Sequence, residues 1–192
     1  MTDKVFNIAN AVRLDAPERI ESLPPADVIV ALKIVEDEII ADIGAGTGYF
    51  AIPMAQVASR GMVHAVDAQP AMLQIMKDRA AGIDPLQLIQ AHASATTLQS
   101  SSCDLAFYAN VWHEFEQKDK VLLEARRILR GTGRIAILDW RPDVERTSGP
   151  PLDHRIPVTQ AVIELNSAGF NVTSSQNIGR YSWLVQATLC KN

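Results

Sequence analysis

The run Asp42-Ile43-Gly44-Ala45-Gly46-Thr47-Gly48 places a carboxylate just before three glycines at alternate positions. The residues leading into it, Ile39–Ile43, are mostly apolar, and Phe50, Ile52, Pro53, Met54 and Val57 resume at helical spacing. Glycine lets backbone approach a ligand closely, and the first turn of the next helix aims N–H groups that no intrahelical carbonyl accepts. A strand ending in such a loop presents a nucleotide-like ligand to the carboxyl edge of a parallel sheet. A dinucleotide loop requires G-x-G-x-x-G, but Tyr49 stands where its third glycine belongs. A phosphate-cradling loop ends in Lys-Ser/Thr, and here Tyr49-Phe50 follows instead. A tight turn without a ligand leaves the glycines unused, although each exposed one lowers stability.

The elements that must position this loop can be read from hydrophobic spacing. Strands are expected at Ile39–Ile43, Met62–Val66, Leu86–Ala91, Asp104–Ala109 and Arg134–Asp139, with helices at Phe50–Ala58, Gln69–Ala81 and Lys118–Leu129. Arg126, Arg127 and Arg130 ahead of Gly131 read as a solvated helix stop. Alternation of this kind predicts a parallel sheet with helices on both faces. After a helix at Val158–Ala168, the runs Phe170–Ser175 and Trp183–Leu189 are separated by a short polar connection, so they must pair antiparallel. The first 35 residues read as a helical cap, with pieces at Val5–Val12, around Ala16–Arg19 and at Pro24–Ile34, and residues 36–192 as the core of the same domain.

A chain of 192 residues, 47% of them apolar, fits one globular domain. With 18 basic and 22 acidic residues it carries no electrostatic footprint for nucleic acid. No apolar run approaches the roughly 18 residues of a membrane span, and no secretory signal is evident, so a cytoplasmic protein is expected. Cys103 and Cys190 lie in apolar strand-like runs and read as reduced core residues. No His/carboxylate cluster has metal-ligand spacing, so no metal is expected.

The pattern D-x-G-x-G-x-G resembles the cofactor loop of class I S-adenosylmethionine-dependent methyltransferases. Val66-Asp67 about twenty residues on, Asp104–Glu114, Leu123–Arg134 and Ala168-Gly169-Phe170 extend the resemblance over most of residues 25–190. It implies a Rossmann-like, doubly wound sheet of seven strands, mostly parallel with an antiparallel C-terminal hairpin. It also implies S-adenosyl-L-methionine as cofactor and S-adenosyl-L-homocysteine as product. Carried onto this sequence, the resemblance gives Asp42 the cofactor's ammonium and the Gly44, Ala45, Gly46 and Gly48 backbone its carboxylate. Asp67, followed by Ala68, takes the ribose hydroxyls, because a carboxylate accepts both. Met72 packs on the adenine, and the Ala93 N–H serves its edge. His92 replaces the family's usual aspartate at the adenine amino group, and Thr96-Thr97 replaces a common Leu-Pro. Asn110 falls on the cofactor side.

Methyl transfer is an in-line displacement at carbon already activated by sulfur, so a base is required only for a reluctant acceptor. The candidate is His113, just past the fourth strand, with Glu114 beside it. Trp140, at the end of the fifth strand, and His154 and Arg155 in Gly149–Pro157 are candidate substrate contacts. That stretch resembles one in a small subgroup related to type 11 and ubiquinone/menaquinone methyltransferases. The expected partner is a small-molecule acceptor, with a monomer or homodimer as the working state. Two readings compete: a binding protein that has lost catalysis, and a nicotinamide-dependent oxidoreductase, which the missing third glycine disfavours.

Overall fold

The computed structural model describes Leu14, residues 16–145 and residues 149–190. The helical piece expected at Val5–Val12 lies outside the described residues.

The strands are β1 (Ile39–Ile43), β2 (Met62–Asp67), β3 (Leu86–Gln90), β4 (Cys103–Ala109), β5 (Leu129–Trp140), β6 (Phe170–Ile178) and β7 (Ser182–Leu189). They form one sheet in the order β3-β2-β1-β4-β5-β7-β6. The first five pair in parallel, and β7 runs antiparallel to both β5 and β6. The helices are α1 (Pro17–Ser22), α2 (Pro25–Leu32), α3 (Ala51–Val57), α4 (Pro70–Arg79), α5 (Lys118–Ile128) and α6 (Val158–Ser167). Proline opens α1, α2 and α4, where its fixed φ suits the first turn and its missing N–H costs nothing.

Period-two alternation sorts the strand residues between two cores. Ile40, Leu105 and Phe107 face the side packed by α2 and α3, through Val28, Leu32, Ala51 and Met54. Ile43, Ala106 and Tyr108 face the other side with Val121, Leu122 and Ala125 of α5 and Leu165 of α6. The chain winds outward from β1 to β3, then returns to β4 on the opposite side of β1. That reversal leaves a crevice beyond the carboxyl ends of β1 and β4, where ligands of such sheets bind.

Two expectations change here. Gly131 does not stop α5, which ends at Ile128; Leu129 is already extended, and β5 continues past both glycines with a shift in its register against β4. The arginines near this junction are structural pins rather than a solvated cap. Arg126 donates to the carbonyls of Ala168 and Gly169 (both 2.9 Å), Arg127 grips Glu124, and Arg130 pairs with Asp104 at 2.7 Å. Cys103 is buried, but Cys190 is exposed beyond the end of β7, so only one cysteine belongs to the core. Both are free thiols. No helix among the described residues is long and apolar enough to cross a membrane.

Candidate functional site

The glycine loop leaves β1 on the α1–α3 side, and its geometry depends on left-handed backbone. Gly44 has φ +75°, and a Cβ there would meet Val111 Cγ2 at 2.9 Å. Gly48 has φ +86°, and its Cβ would lie 2.7 Å from Met76 Cγ. Gly48 therefore lets the loop pack on α4, and it does not line the cavity as expected. The loop N–H groups are engaged within the protein. Gly44 and Ala45 both donate to the Val66 carbonyl (2.8 and 3.1 Å), Gly46 donates to Asp67 Oδ2 (2.8 Å), and Gly48 donates to the Ala45 carbonyl (3.0 Å). The expectation that these amides hold a ligand carboxylate is corrected: they tie the loop to β2 and to itself.

Asp42 has the parity of Ile40, so it turns toward α1 and α3 and is only 1% exposed. Burial, reinforced by the nearby Asp67 carboxylate, pushes its pKa up to about 7, while Arg19 and the Ala51 N–H pull it back. Its Oδ1 has no hydrogen-bond partner. Asp67 is also raised, chiefly by burial, with N–H donation from Gln69 and Gly46 opposing (2.8 Å each). Each Asp67 oxygen thus accepts one loop N–H and keeps a lone pair for a ligand hydroxyl.

Across the crevice, Asn110 continues the β4 ladder by donating its N–H to Leu138 O at 2.8 Å. It adopts φ +57°, a left-handed conformation that asparagine tolerates. Both its Oδ1 and its Nδ2 are buried without a partner. The short 3₁₀ turn Trp112–Glu114 then divides two neighbouring side chains. Glu114 lines the cavity; His113 does not. The His113 N–H donates to Asp139 Oδ2 at 2.8 Å, and Nδ1 lies 2.9 Å from Asp139 Oδ1, which can only accept. Its Nε2 is 3.9 Å from Glu114 Oε1. Burial works to lower the His113 pKa, but the Asp139 hydrogen bond and charge outweigh it, so the net shift is upward. An imidazole held toward its protonated form and turned from the cavity is poorly placed as the base. His113 braces the turn that carries Glu114.

The β5–α6 connection also departs from expectation. Arg155 is 6% exposed and donates to the carbonyls of Pro150 (3.0 Å), Arg141 (3.1 Å) and Val144 (2.8 Å). Its guanidinium anchors the loop, 5.9 Å from the Trp140 ring centroid. Neither Arg155 nor Trp140 lines the cavity, and the exposed His154 does not either.

The cavity itself measures about 460 Å³, ample for a nucleoside-sized cofactor. Of the expected cofactor residues it brings together Asp42, Gly44, Ala45 and Gly46 from β1 and its loop, and Asp67, Ala68 and Met72 from β2 and α4. His92 and Ala93 beyond β3 and Asn110 beyond β4 complete the set. Sequence reasoning missed Arg19, Thr47 and Tyr49. Thr47 Oγ1 is buried without a partner, and Tyr49 OH donates to the Leu23 carbonyl at 2.8 Å, tying the N-terminal helices to the loop. Tyr49 had a signal: it occupies the place where the dinucleotide pattern wants glycine. No cluster of three His, Cys, Asp or Glu among the described residues is grouped to hold a metal ion.

A family model described as a methyltransferase domain matches residues 41–137, just over half of the chain. The chain belongs to this family, and its fold is that of a class I S-adenosylmethionine-dependent methyltransferase. A SAM-dependent methyltransferase from Aquifex aeolicus superposes with a TM-score of 0.89 at 25% identity, over 95% of this chain and 98% of that one. A protein from Pyrococcus horikoshii OT3 has the same fold, with a TM-score of 0.75 at 18% identity over 96% and 100% of the two chains. Over 95 residues the chain is 32% identical to the malonyl-[acyl-carrier protein] O-methyltransferase of Methylococcus capsulatus, which covers 50% of this chain. The match spans about a third (34%) of that relative's length.

Proposed function

We propose that this protein transfers the methyl group of S-adenosylmethionine to a small-molecule acceptor, working in the cytoplasm as a monomer or homodimer. The observation that supports this reading best is the crevice between β1 and β4. There the buried Asp42 Oδ1 and both amide atoms of Asn110 have no protein partner. A buried polar atom left unsatisfied costs about 1–3 kcal/mol, a cost that a bound ligand removes.

The residues fit this cofactor. Asp42 accepts from the ammonium, Asp67 from the two ribose hydroxyls, and Met72 and Ala93 flank the adenine, with the exposed His92 at its edge. When bound, S-adenosylmethionine supplies a methyl carbon activated by its sulfonium. The protein's part is to align the acceptor and exclude water, which in favourable cases is worth on the order of 7–11 kcal/mol. Glu114 is the carboxylate presented on the wall beyond Asn110, with the His113–Asp139 pair holding its turn in place.

A thermal-shift panel of S-adenosylhomocysteine against NAD tests the cofactor, and stabilisation by NAD alone refutes this reading. Tritiated-methyl transfer into fractionated cell metabolites then tests the acceptor. The activity named for the Methylococcus relative makes a carboxylic acid on a carrier protein a second acceptor class for that assay. Label only in protein fractions would refute the small-molecule reading.

A further inference from the structure

The cofactor's amino-acid head carries a carboxylate, and the loop N–H groups of Gly44, Ala45, Gly46 and Gly48 are already engaged. Something else must bind that anion. The charged side chains lining the cavity are Asp42, Asp67, Glu114 and Arg19, so Arg19 is the one lysine or arginine among the described lining residues. Its position is built rather than incidental. The side chain is 9% exposed, its Cζ stands 4.0 Å from the Tyr49 ring centroid, and Nη1 donates to the Leu14 carbonyl at 2.6 Å. Stacking on Tyr49 fixes the guanidinium plane, and its fork of five N–H donors matches a carboxylate. Arg19 and Asp42 both line this cavity, and the Arg19 charge works to lower the Asp42 pKa.

Resting on the reading that this cavity takes S-adenosylmethionine, we propose that Arg19 binds the cofactor's carboxylate while Asp42 binds its ammonium. The zwitterionic head is then read by a matched cation and anion, one from the N-terminal cap and one from β1. The carboxylate is the ligand's one anionic group, and Arg19 is the one lysine or arginine among the described residues that line the cavity. The partnerless, buried Asp42 Oδ1 is the acceptor of opposite charge in the same cavity.

The test compares three probes by calorimetry at about pH 8.5, above the titration of Asp42 so that its charge is constant. They are S-adenosylhomocysteine, its decarboxylated analogue (which keeps the amine) and 5′-methylthioadenosine (which lacks the head). Arg19→Met should weaken S-adenosylhomocysteine by between about tenfold and a hundredfold and leave the other two within about threefold. Arg19→Lys, which keeps charge but loses the fork, should fall between. Unchanged S-adenosylhomocysteine affinity in Arg19→Met overturns the proposal, as does an equal loss for all three probes, which would make Arg19 merely structural. If the variants fail to fold, the wild type decides alone, since equal affinity for S-adenosylhomocysteine and its decarboxylated analogue overturns the assignment. A wild type that binds none of the three refutes the cofactor reading itself, a different outcome.

Discussion

Asp42 and Asp139 are the same residue type, both buried, at or near the carboxyl ends of parallel strands that flank β4. Their surroundings are opposite. Asp139 is 0% exposed and accepts from the His113 N–H, His113 Nδ1 and the Trp140 N–H. Asp42 has an oxygen with no partner, a second carboxylate nearby and a pKa pushed up to about 7. Glu124 sides with Asp139. The Arg127 guanidinium, against the opposing effect of burial and helped by two donors from Thr96, holds its pKa down to about 2. A buried carboxylate satisfied by its own protein holds the fold together. One left unsatisfied at a cavity is held ready for a ligand, at some expense of stability.

Breaking the satisfied carboxylate should have the largest effect. Asp139→Ala strands an imidazole and two N–H donors in the interior, and removing one partner of a buried pair costs about 3–5 kcal/mol. For a chain of this size that lowers Tm by roughly 10 °C in calorimetric melting. The comparison further requires that the folded fraction bind S-adenosylhomocysteine within a few-fold of wild type. A large loss of affinity with little loss of Tm would mean Asp139 belongs to the ligand site.

At the cavity the signs reverse. Asp67→Ala should weaken S-adenosylhomocysteine by about a hundredfold in calorimetry, because it removes two charge-assisted acceptors and frees the Gly46 and Gln69 N–H groups. Asp42→Asn sharpens the contrast further. It should weaken the same ligand by about thirtyfold yet raise the Tm of the unliganded protein, since a buried charge with an empty oxygen becomes a neutral amide. A lower Tm would show that Asp42 is structural after all.

The same contrast explains which parts of the molecule were legible in the sequence. Asp42 and Asp67 announce themselves because each ends an apolar run, and strand ends face the ligand edge whatever the rest of the fold does. His113 and Glu114 are adjacent, and only the 3₁₀ turn decides that one meets Asp139 and the other meets the cavity. Arg155 reads as an anion receptor until the loop it closes is seen to supply three carbonyls. Arg19 gave no signal, because its place at the cavity depends on packing over Tyr49, more than twenty residues away. The start of β5 was hidden by Gly131 and Gly133, which read as punctuation. A Cβ at Gly133 would lie 3.0 Å from the Arg130 carbonyl and 3.1 Å from that of Cys103, where the β4–β5 register shifts, so the strand needs a glycine there.

The smallest expected effect is a pair of opposite pH slopes. Asp42 is raised in the folded state, so between its unfolded pKa and about 7 the folded protein holds the extra proton. Its contribution to unliganded stability therefore falls as pH rises through that window and levels off above it. Asp67, also raised, acts in the same direction. His113 adds a slope of the same sign for another reason: its raised pKa gives stability that is fully present below the unfolded value and lost as pH climbs through the folded one. Ligand affinity must run the other way, because the cofactor's ammonium needs Asp42 ionised. Affinity for S-adenosylhomocysteine should drop about tenfold from pH 8 to pH 6. Asp42→Asn separates the causes. It should flatten most of the affinity profile, leaving a shallower affinity slope from Asp67 and a residual stability slope from Asp67 and His113, and an affinity slope as steep as the wild type's would remove Asp42 from the ammonium site.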